Sequence, residues 1–320
     1  MDDMKLFCGR ANPDLARRIS EYLNLPLGAV DIRPFPDGEL LVRLNEDIRG
    51  RDVFIIQPTC SPVNENLMEL LIFMDCARRA SAARITAVLP YFGYARQDRK
   101  DAGRVPITAK LAANLISAAG ADRTLAMDLH AAQIQGFFDI PVDNLLAEPV
   151  LSRHFGRMDL PNLTIVSPDV GNVKRATVYA RRMGAELAIV TKRRVSGSET
   201  EVGHVIGDVE GRSILMVDDM ISTAGTVCNA ARLVKDRGAE RIVAGATHAV
   251  LCGPAVERLA GSPIDEVVVT DTIPLSAEKV KRIGKVRVLS VAHLIGEAIR
   301  RIHNNESVSN LFLQDVPSAS

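Results

Sequence analysis

Short apolar runs alternate with longer stretches of helical periodicity along most of the chain. The apolar runs predict strands at residues 5–8, 53–57, 85–89, 124–127, 163–166, 187–190, 213–217, 241–246 and 266–270. The periodic stretches predict helices at residues 12–23, 106–119, 172–183, 224–237 and 289–303. Asn12 and Pro13 are typical of the start of a helix, and Gly120 of its end. Such alternation is typical of parallel sheets covered by helices on both faces, so the predicted fold class is α/β.

The chain is long for a single sheet of this kind, because domains usually contain ~100–200 residues. The pattern breaks at residues 141–149, a stretch that holds two prolines. We therefore expect two similar α/β domains, each a largely parallel sheet flanked by helices, at residues 1–145 and 146–303. A polar tail follows at residues 304–320, in which residues 311–313 form an apolar stretch able to dock on a core or a neighbouring subunit.

The overall charge and the cysteines exclude several classes of protein. Lys plus Arg number 39 and Asp plus Glu number 39, so the formal net charge is zero and a general nucleic-acid binder is disfavoured. The 5 cysteines are scattered and form no C-x-x-C pair, which indicates reduced thiols rather than a disulfide framework or a zinc site. We see no signal-peptide pattern and no apolar run of the ~20 residues that a membrane span needs. The protein is expected to be soluble and cytoplasmic.

The segment D-D-M-I-S-T-A-G-T follows the predicted strand 213–217 and opens the helix 224–237. Its backbone N–H groups, its hydroxyls and the positive end of the helix dipole together form a phosphate cradle, while the two carboxylates can accept hydrogen bonds from vicinal sugar hydroxyls. The position fits, because ligands of open α/β sheets bind beyond the strand carboxyl ends. An ordinary capped βα turn with surface acids is the alternative. The candidate residues are Asp218, Asp219, Ser222, Thr223, Ala224, Gly225 and Thr226.

This segment resembles the phosphoribosyl-binding loop of type I phosphoribosyltransferases and of ribose-phosphate diphosphokinases. A second string distinguishes these two families. D-L-H-A-A-Q-I-Q-G-F-F-D-I-P-V-D, at residues 128–143, resembles the signature of class I ribose-phosphate diphosphokinases. A lone histidine beyond a strand end is more often structural, but the resemblance implies that His130 meets magnesium and the ATP phosphates. With motifs from Leu6 to about Phe312, the chain is identified as a member of this family, whose fold is phosphoribosyltransferase-like.

Two further strings are similar to the ATP-binding segments of that family. F-P-D-G-E, at residues 35–39, is on its own a turn between two strands, and Y-F-G-Y-A-R-Q-D-R-K, at residues 91–100, is on its own a charged, solvated loop. Arginine nevertheless suits phosphate through its forked donors. The resemblance implies that the first string reaches adenine across a subunit interface and that the second grips ATP, with Lys100 and Arg104 assisting. The implied ATP-binding residues are Phe35, Asp37, Gly38, Glu39, Arg96, Gln97 and Asp98.

The last candidate site residues are a group of cations and one acid. T-K-R-R, at residues 191–194, follows the predicted strand 187–190, and a mobile stretch is expected at 195–203. Three cations in a row are often a solvated turn, but the resemblance makes Lys192 and Arg194 catalytic on a loop that closes over the reactants, with Arg194 also on the sugar phosphate. Asp169 is expected to contact magnesium, directly or through water, in a loop that could cradle diphosphate.

The chain departs from the family pattern at three positions. Asn172 stands where a second glycine is usual, and we expect it to keep the turn because asparagine tolerates left-handed backbone. Ser222 stands where aspartate is usual, which removes a charge beside the sugar phosphate. Ala132 replaces a common proline at a position where the family varies.

The resemblance implies transfer of the diphosphoryl group of Mg-ATP to the C1 hydroxyl of ribose 5-phosphate, for nucleotide biosynthesis. It also implies Mg²⁺ as cofactor, a homohexamer, and regulation by ADP and phosphate. Two alternatives stay open: a type I phosphoribosyltransferase, to which the 128–143 string does not belong, and a non-catalytic regulatory subunit, which usually has a damaged catalytic loop. No nucleic-acid or membrane partner is expected.

Overall fold

The computed structural model describes residues 3–195 and 199–311 of the 320-residue chain, and the side chains of all of these except 192–202 and 310. This part of the chain divides into two compact units. Residues 3–146, 272–274 and 290–311 form the first unit, and residues 147–195, 199–271 and 275–289 form the second. No helix in the described residues has the length and apolar character to cross a membrane.

The first unit is built on a parallel sheet. Its elements are β1 (Met4–Cys8), α1 (Pro13–Leu23), β2 (Val30–Pro34), β3 (Leu40–Leu44), β4 (Asp52–Ile56), α2 (Val63–Arg79), β5 (Arg84–Leu89), α3 (Thr108–Ala119), β6 (Arg123–Met127) and β7 (Val142–Leu145). The sheet has the order β1-β4-β5-β6-β7 with every neighbouring pair parallel, and β2 and β3 form a separate antiparallel hairpin. All the carboxyl ends therefore meet at one edge, where the loops after β5 and β6 lie.

Local sequence features account for where these elements begin and end. All of β4 is buried, as expected for a central strand covered on both faces. The Asn12 side chain caps α1 by accepting from the Leu15 amide at 3.3 Å, and Pro13 occupies the first turn. Gly120 ends α3 with a φ of 116°, a conformation that glycine adopts without strain. The predicted Pro-Asp-Gly turn is present between β2 and β3.

The second unit also has a largely parallel sheet. Its elements are α4 (Glu148–Phe155), β8 (Thr164–Ser167), α5 (Val173–Met183), β9 (Glu186–Val195), β10 (Glu199–Ile206), β11 (Ser213–Ile221), α6 (Gly225–Asp236), β12 (Arg241–Ala249), α7 (Ala255–Ala260), β13 (Glu266–Thr270), α8 (Ala277–Ile283) and β14 (Val286–Leu289). The sheet order is β10-β9-β8-β11-β12-β13-β14, and the edge strand β10 is antiparallel to β9. The predicted α/β class with largely parallel sheets is confirmed.

The last helix, α9 (Ala292–His303), belongs to the first unit, whereas the sequence assigned residues 290–303 to the second domain. It packs against α1: the Tyr22 hydroxyl donates to Glu297 at 2.9 Å, and the Tyr22 ring lies 4.4 Å from the His293 ring. A Cβ on Gly296 would approach the Tyr22 ring to 2.4 Å, so only glycine permits this contact. Within the expected tail, Leu311 is buried, while residues 312–320 lie outside the described part.

The predicted boundary at residues 141–149 contains regular structure. Pro141 immediately precedes β7, and Pro149 lies in the first turn of α4, so both prolines stand at the starts of elements. The two compact units divide between residues 146 and 147, against the expected 145 and 146.

Candidate functional site

The predicted sugar-phosphate loop, residues 218–226, lies at the carboxyl end of β11 in the second unit. The strand is longer than predicted: it continues through Asp218 and Asp219 to Ile221 and pairs with β12 over this length. The turn is therefore short, because α6 begins at Gly225. Ser222 and Thr226 are partly exposed and Thr223 is exposed, so their hydroxyls lie within reach of a ligand.

Two carboxylates lie side by side just before this turn. The Asp219 amide donates to Asp218 Oδ1 at 2.8 Å, and Asp219 is buried. Burial, with a hydrogen bond and repulsion from Asp219, raises the pKa of the Asp218 carboxyl to about 8. Burial and the neighbouring carboxylate therefore favour the protonated form of Asp218. Such a pair can both donate to and accept from the vicinal hydroxyls of a sugar.

The start of α6 suits an anion. Its N-cap residue is Ala224, in the left-handed conformation with a φ of 60°, and neither a side-chain cap nor an acidic first-turn residue accompanies this described helix start. The first amides of a helix lack intrahelical partners, and the helix dipole is positive there. The turn thus offers backbone donors of the kind that bind phosphate.

The Asp169 turn precedes α5 in the same unit. The Asp169 carboxylate accepts from the Asn172 amide at 3.0 Å, which leaves its other oxygen for a ligand. The turn is kept at Asn172, as expected, but with φ −94° and ψ 2°, so it does not require left-handed backbone at this position. The Asn172 side chain is buried and donates to the Val217 carbonyl at 2.6 Å. This hydrogen bond joins the turn to β11.

A cleft of about 510 Å³ in the first unit brings together four predicted ligand residues. Its lining is Arg96, Gln97, Asp98, Arg99, Asp101, Val105, Pro106, His130, Ala131 and Gln133. Lys100 and Arg104 are exposed in the same segment. The cleft lies at the carboxyl edge of the sheet, between the loops that follow β5 and β6. Mixed cations and acids with an imidazole make it suited to a polyphosphate and its metal.

Hydrogen bonds hold the cleft residues in place. The Gln97 carbonyl accepts from the Ala109 amide at 3.1 Å, which fixes it at the start of α3, and its side chain accepts from the Thr108 hydroxyl. Asp98 accepts from Gln133 at 2.9 Å. Asp128, two residues before His130, is buried with a φ of 41°. Left-handed backbone at a non-glycine residue is uncommon and is concentrated at functional sites.

The other predicted ATP residues lie at the tip of the β2–β3 hairpin. Phe35 is a large aromatic side chain that is 46% exposed. The Phe35 amide donates to the Glu39 carbonyl at 2.7 Å, and the Asp37 carboxylate accepts from the Glu39 amide at 3.1 Å. Gly38 has a φ of 92°, which the turn requires. The tip therefore presents an aromatic face beside two acids.

The predicted catalytic cations lie on β9 rather than on a loop after it. This strand continues to Val195, with Lys192 opposite Gly203 on β10. The side chains of Lys192 and Arg194, and all of residues 196–198, lie outside the described residues.

Metal-binding side chains do not cluster: among the described residues, no group of three or more His, Cys, Asp and Glu side chains has metal-holding geometry. His130 and Asp169 belong to different units.

Comparisons with known proteins decide the family. The model of the N-terminal domain of ribose phosphate pyrophosphokinase matches residues 4–120, and that of the phosphoribosyl synthetase-associated domain matches residues 198–313. A ribose-phosphate pyrophosphokinase of Rhodopirellula baltica is 58% identical over 315 residues, covering 98% of this chain and 99% of the relative. The chain belongs to the ribose-phosphate pyrophosphokinase family.

Two further similar proteins support the same family assignment. A ribose-phosphate pyrophosphokinase of Neisseria meningitidis serogroup A is 54% identical over 320 residues, covering 100% of this chain and 98% of that one. The crystal structure of phosphoribosylpyrophosphate synthetase from Mycobacterium smegmatis superposes with a TM-score of 0.89 at 42% identity, covering 95% of this chain and 99% of that one. The resemblance inferred from the motifs is confirmed, because family membership extends along the whole chain.

The structure adds residues that the motifs missed. Gln133 lies within the 128–143 string of the pyrophosphokinase, and its position after β6 could have indicated a cleft contact. Arg258 of α7, whose guanidinium donates to the Thr223 carbonyl at 3.0 Å, could not have been found in this way. Along the chain, α6 and β12 lie between the sugar-phosphate loop and Arg258, so only folding brings the loop and this side chain together.

Proposed function

We propose that this pyrophosphokinase transfers the diphosphoryl group of ATP to the C1 hydroxyl of ribose 5-phosphate, giving 5-phosphoribosyl 1-diphosphate and AMP. The observation that carries the proposal is the turn between β11 and α6. It combines an uncapped helix start, three hydroxyl side chains and the Asp218–Asp219 pair. This is the chemistry needed for a sugar that carries both vicinal hydroxyls and a phosphate.

The sugar phosphate is held by this turn. The 5-phosphate lies on the amides and hydroxyls of residues 222–226, and Asp218 and Asp219 bind the ribose hydroxyls. Arg194 adds a further cationic contact to the sugar phosphate. Family membership supports these roles, since relatives over nearly the whole chain are named ribose-phosphate pyrophosphokinase.

ATP occupies the cleft of the first unit. Arg96, Gln97 and Asp98 contact the nucleotide, and the tip of the β2–β3 hairpin, with Phe35, Asp37, Gly38 and Glu39, recognises adenine from a second copy of the chain. The exposure of the Phe35 ring supports a stacking partner, since aromatic rings bind flat bases through their faces.

The residues present fit Mg²⁺, which usually keeps several waters and is held by one or two protein groups together with substrate phosphates. His130 on the cleft of the first unit, and Asp169 of the second unit with one carboxylate oxygen left for a ligand, would each supply one such protein contact. When bound, the ion neutralises phosphate oxygens of ATP.

The reaction is one direct displacement. The C1 oxygen of ribose 5-phosphate forms a bond to the β-phosphorus of ATP, the bond from this phosphorus to the oxygen bridging to the α-phosphorus breaks, and AMP leaves with the bonding pair. The C1 hydroxyl proton is released to solvent. Lys192 and Arg194 stabilise the charge that develops towards AMP, as cations do in phosphoryl transfer generally. Positioning of the two substrates supplies the rest of the rate acceleration. Because the C1 oxygen attacks the β-phosphorus directly, no covalent intermediate with the protein forms.

The proposed setting is the cytoplasm, where the product serves nucleotide biosynthesis. The working form is a homo-oligomer, a hexamer, regulated by ADP and phosphate. The motif resemblance supports these features. Nucleic acid and membranes are not partners, in keeping with the balanced charge of 39 basic and 39 acidic residues.

The test is an assay with ATP, magnesium and ribose 5-phosphate that follows AMP and 5-phosphoribosyl 1-diphosphate. We expect both products in equal amounts, and none when ribose 5-phosphate is omitted. A phosphoribosyltransferase would instead consume 5-phosphoribosyl 1-diphosphate with a free base and form no AMP, which would overturn the proposal. Lys192→Ala should abolish turnover and retain ATP binding, whereas Lys174→Ala, at an exposed position of α5, should leave both unchanged.

A further inference from the structure

The back of the sugar-phosphate loop is covered by residues 251–258, which follow β12 and include the start of α7. Three consecutive carbonyls of the loop accept hydrogen bonds from this segment. Ile221 accepts from the Leu251 amide at 3.0 Å, and Ser222 accepts from the Cys252 amide at 3.0 Å. The third, Thr223, accepts from the Arg258 guanidinium, also at 3.0 Å.

These bonds set the direction of the loop amides. In a trans peptide the C=O and the following N–H point in opposite directions. Because the carbonyls of residues 221–223 point towards residues 251–258, the amides of residues 222–224 point away from that segment. They point towards the side from which a phosphate would approach the start of α6. The first two bonds come from backbone, while the third depends on one side chain.

The positive charge of Arg258 lies at the start of a helix, where basic side chains are usually unfavourable. A Cβ on Gly225, the first residue of α6, would lie 3.3 Å from Arg258 Nη1, so the guanidinium is packed against the helix start. A helix start carries partial positive charge, and acidic rather than basic side chains are stabilising there. A cation at this point is unfavourable in the ligand-free protein and becomes favourable when an anion binds to the amides at the helix start.

We infer that Arg258 is a positioning residue for ribose 5-phosphate. It turns the Thr223 carbonyl away from the ligand and holds a positive charge behind the first turn of α6. This inference rests on the proposed function, because it takes the phosphate of ribose 5-phosphate as the anion. Arg258 is itself exposed, so solvent screens its charge and limits the effect.

Arg258→Met tests the inference in the full-length protein. We expect the KM for ribose 5-phosphate to rise about tenfold, which corresponds to the free energy of one hydrogen bond to a charged group. The KM for ATP should be unchanged, and kcat should be nearly unchanged. Arg258→Lys keeps the charge and should recover most of the loss. Arg282→Met is the matched control: it removes the same charge from α8, where Arg282 pairs with Glu257.

Calorimetric titration of ribose 5-phosphate separates this inference from the proposed function. The Kd should rise about tenfold in Arg258→Met and stay constant in Arg282→Met, whether or not AMP is formed. If the Kd and the KM for ribose 5-phosphate are unchanged in Arg258→Met, the inference is wrong. The proposed function still stands in that case, provided that the wild-type protein forms AMP. A lowered Tm together with an equal loss of affinity for both substrates would also overturn the inference, because a residue that only stabilises the fold would produce that result.

Discussion

The side-chain amide of Asn172 donates a hydrogen bond to the Val217 carbonyl oxygen at 2.6 Å. This bond joins the turn that carries Asp169 to the strand that carries Asp218. The Asn172 backbone amide simultaneously donates to the Asp169 carboxylate at 3.0 Å. One buried residue therefore fixes the proposed metal-binding acid relative to the sugar-binding acids within the second unit.

Replacing Asn172 with alanine should destabilise the second unit. The Val217 carbonyl would lose a buried partner, which costs about 1–3 kcal/mol of unfolding free energy. Denaturant unfolding, followed by circular dichroism, measures this loss. Lys174→Ala, at an exposed position two residues later, is the control and should change little. Equal stability of the two variants would remove the structural role of the Asn172 side chain.

The Asp218–Asp219 pair predicts how sugar binding depends on pH. The pKa of Asp218 is raised to about 8, so below that pH the free protein carries the neutral acid. The ionised carboxylate is the stronger acceptor for ribose hydroxyls, so ribose 5-phosphate affinity should rise as pH rises through about 8. The sugar phosphate is already dianionic there, since its pKa is about 6.

Calorimetric titrations on both sides of this pH measure the effect, and Asp219→Asn provides the contrast. Without the neighbouring charge, the pKa of Asp218 falls and the inflection moves to lower pH. An inflection at the same pH in both proteins would show that the pair does not control binding.

Cys252 should report occupation of the loop. Its thiol is exposed, with Sγ 3.3 Å from the Ser222 hydroxyl. Ribose 5-phosphate should therefore slow alkylation of Cys252 by N-ethylmaleimide, measured by peptide mass spectrometry. Burial raises the pKa of the Cys60 and Cys228 thiols, which should stay unlabelled, and the partly exposed Cys76 of the first unit serves as the unprotected reference. Equal slowing at Cys76 and Cys252 would contradict local protection.

His130→Ala should act on the nucleotide side alone. His130 lines the cleft with Arg96 and Gln97, so its loss should raise the Mg²⁺ concentration needed for half-maximal turnover. The Kd for ribose 5-phosphate should be unchanged, because His130 is not among the residues proposed to bind the sugar phosphate. His293→Ala removes an imidazole that packs at an angle against the Tyr22 ring and is the matched control. A magnesium requirement that is the same in both variants would exclude His130 as a ligand.

Local chemistry explains what the sequence could predict. The Asn12 cap, the turn at residues 35–39 and the buried runs of the central strands depend on neighbours in the chain, and the structure contains each of them. Every predicted strand is present: the strand at residues 266–270 matches at both ends, and the others are shifted at one end or both. The family could be recognised because the 128–143 string is long and specific.

Long-range contacts explain what the sequence could not predict. Helix α9 joins the first unit through Tyr22 and Glu297, which are 275 positions apart. Pairing with β10 extends β9 to Val195, and pairing with β12 extends β11 to Ile221, beyond the point where the apolar pattern ends. Asn172 and Arg258 act through contacts with distant segments, so a motif could not reveal either role.

Tracing the β-phosphorus of ATP tests the central claim most directly. Wild-type protein is incubated with magnesium, ribose 5-phosphate and ATP labelled at the β-phosphorus, and the products are separated. Direct displacement predicts that all transferred label appears in 5-phosphoribosyl 1-diphosphate and that the AMP is unlabelled. Two results would contradict the account. One is label that stays in a nucleoside diphosphate while the sugar gains a single phosphate at C1, and the other is no transfer of label to the sugar.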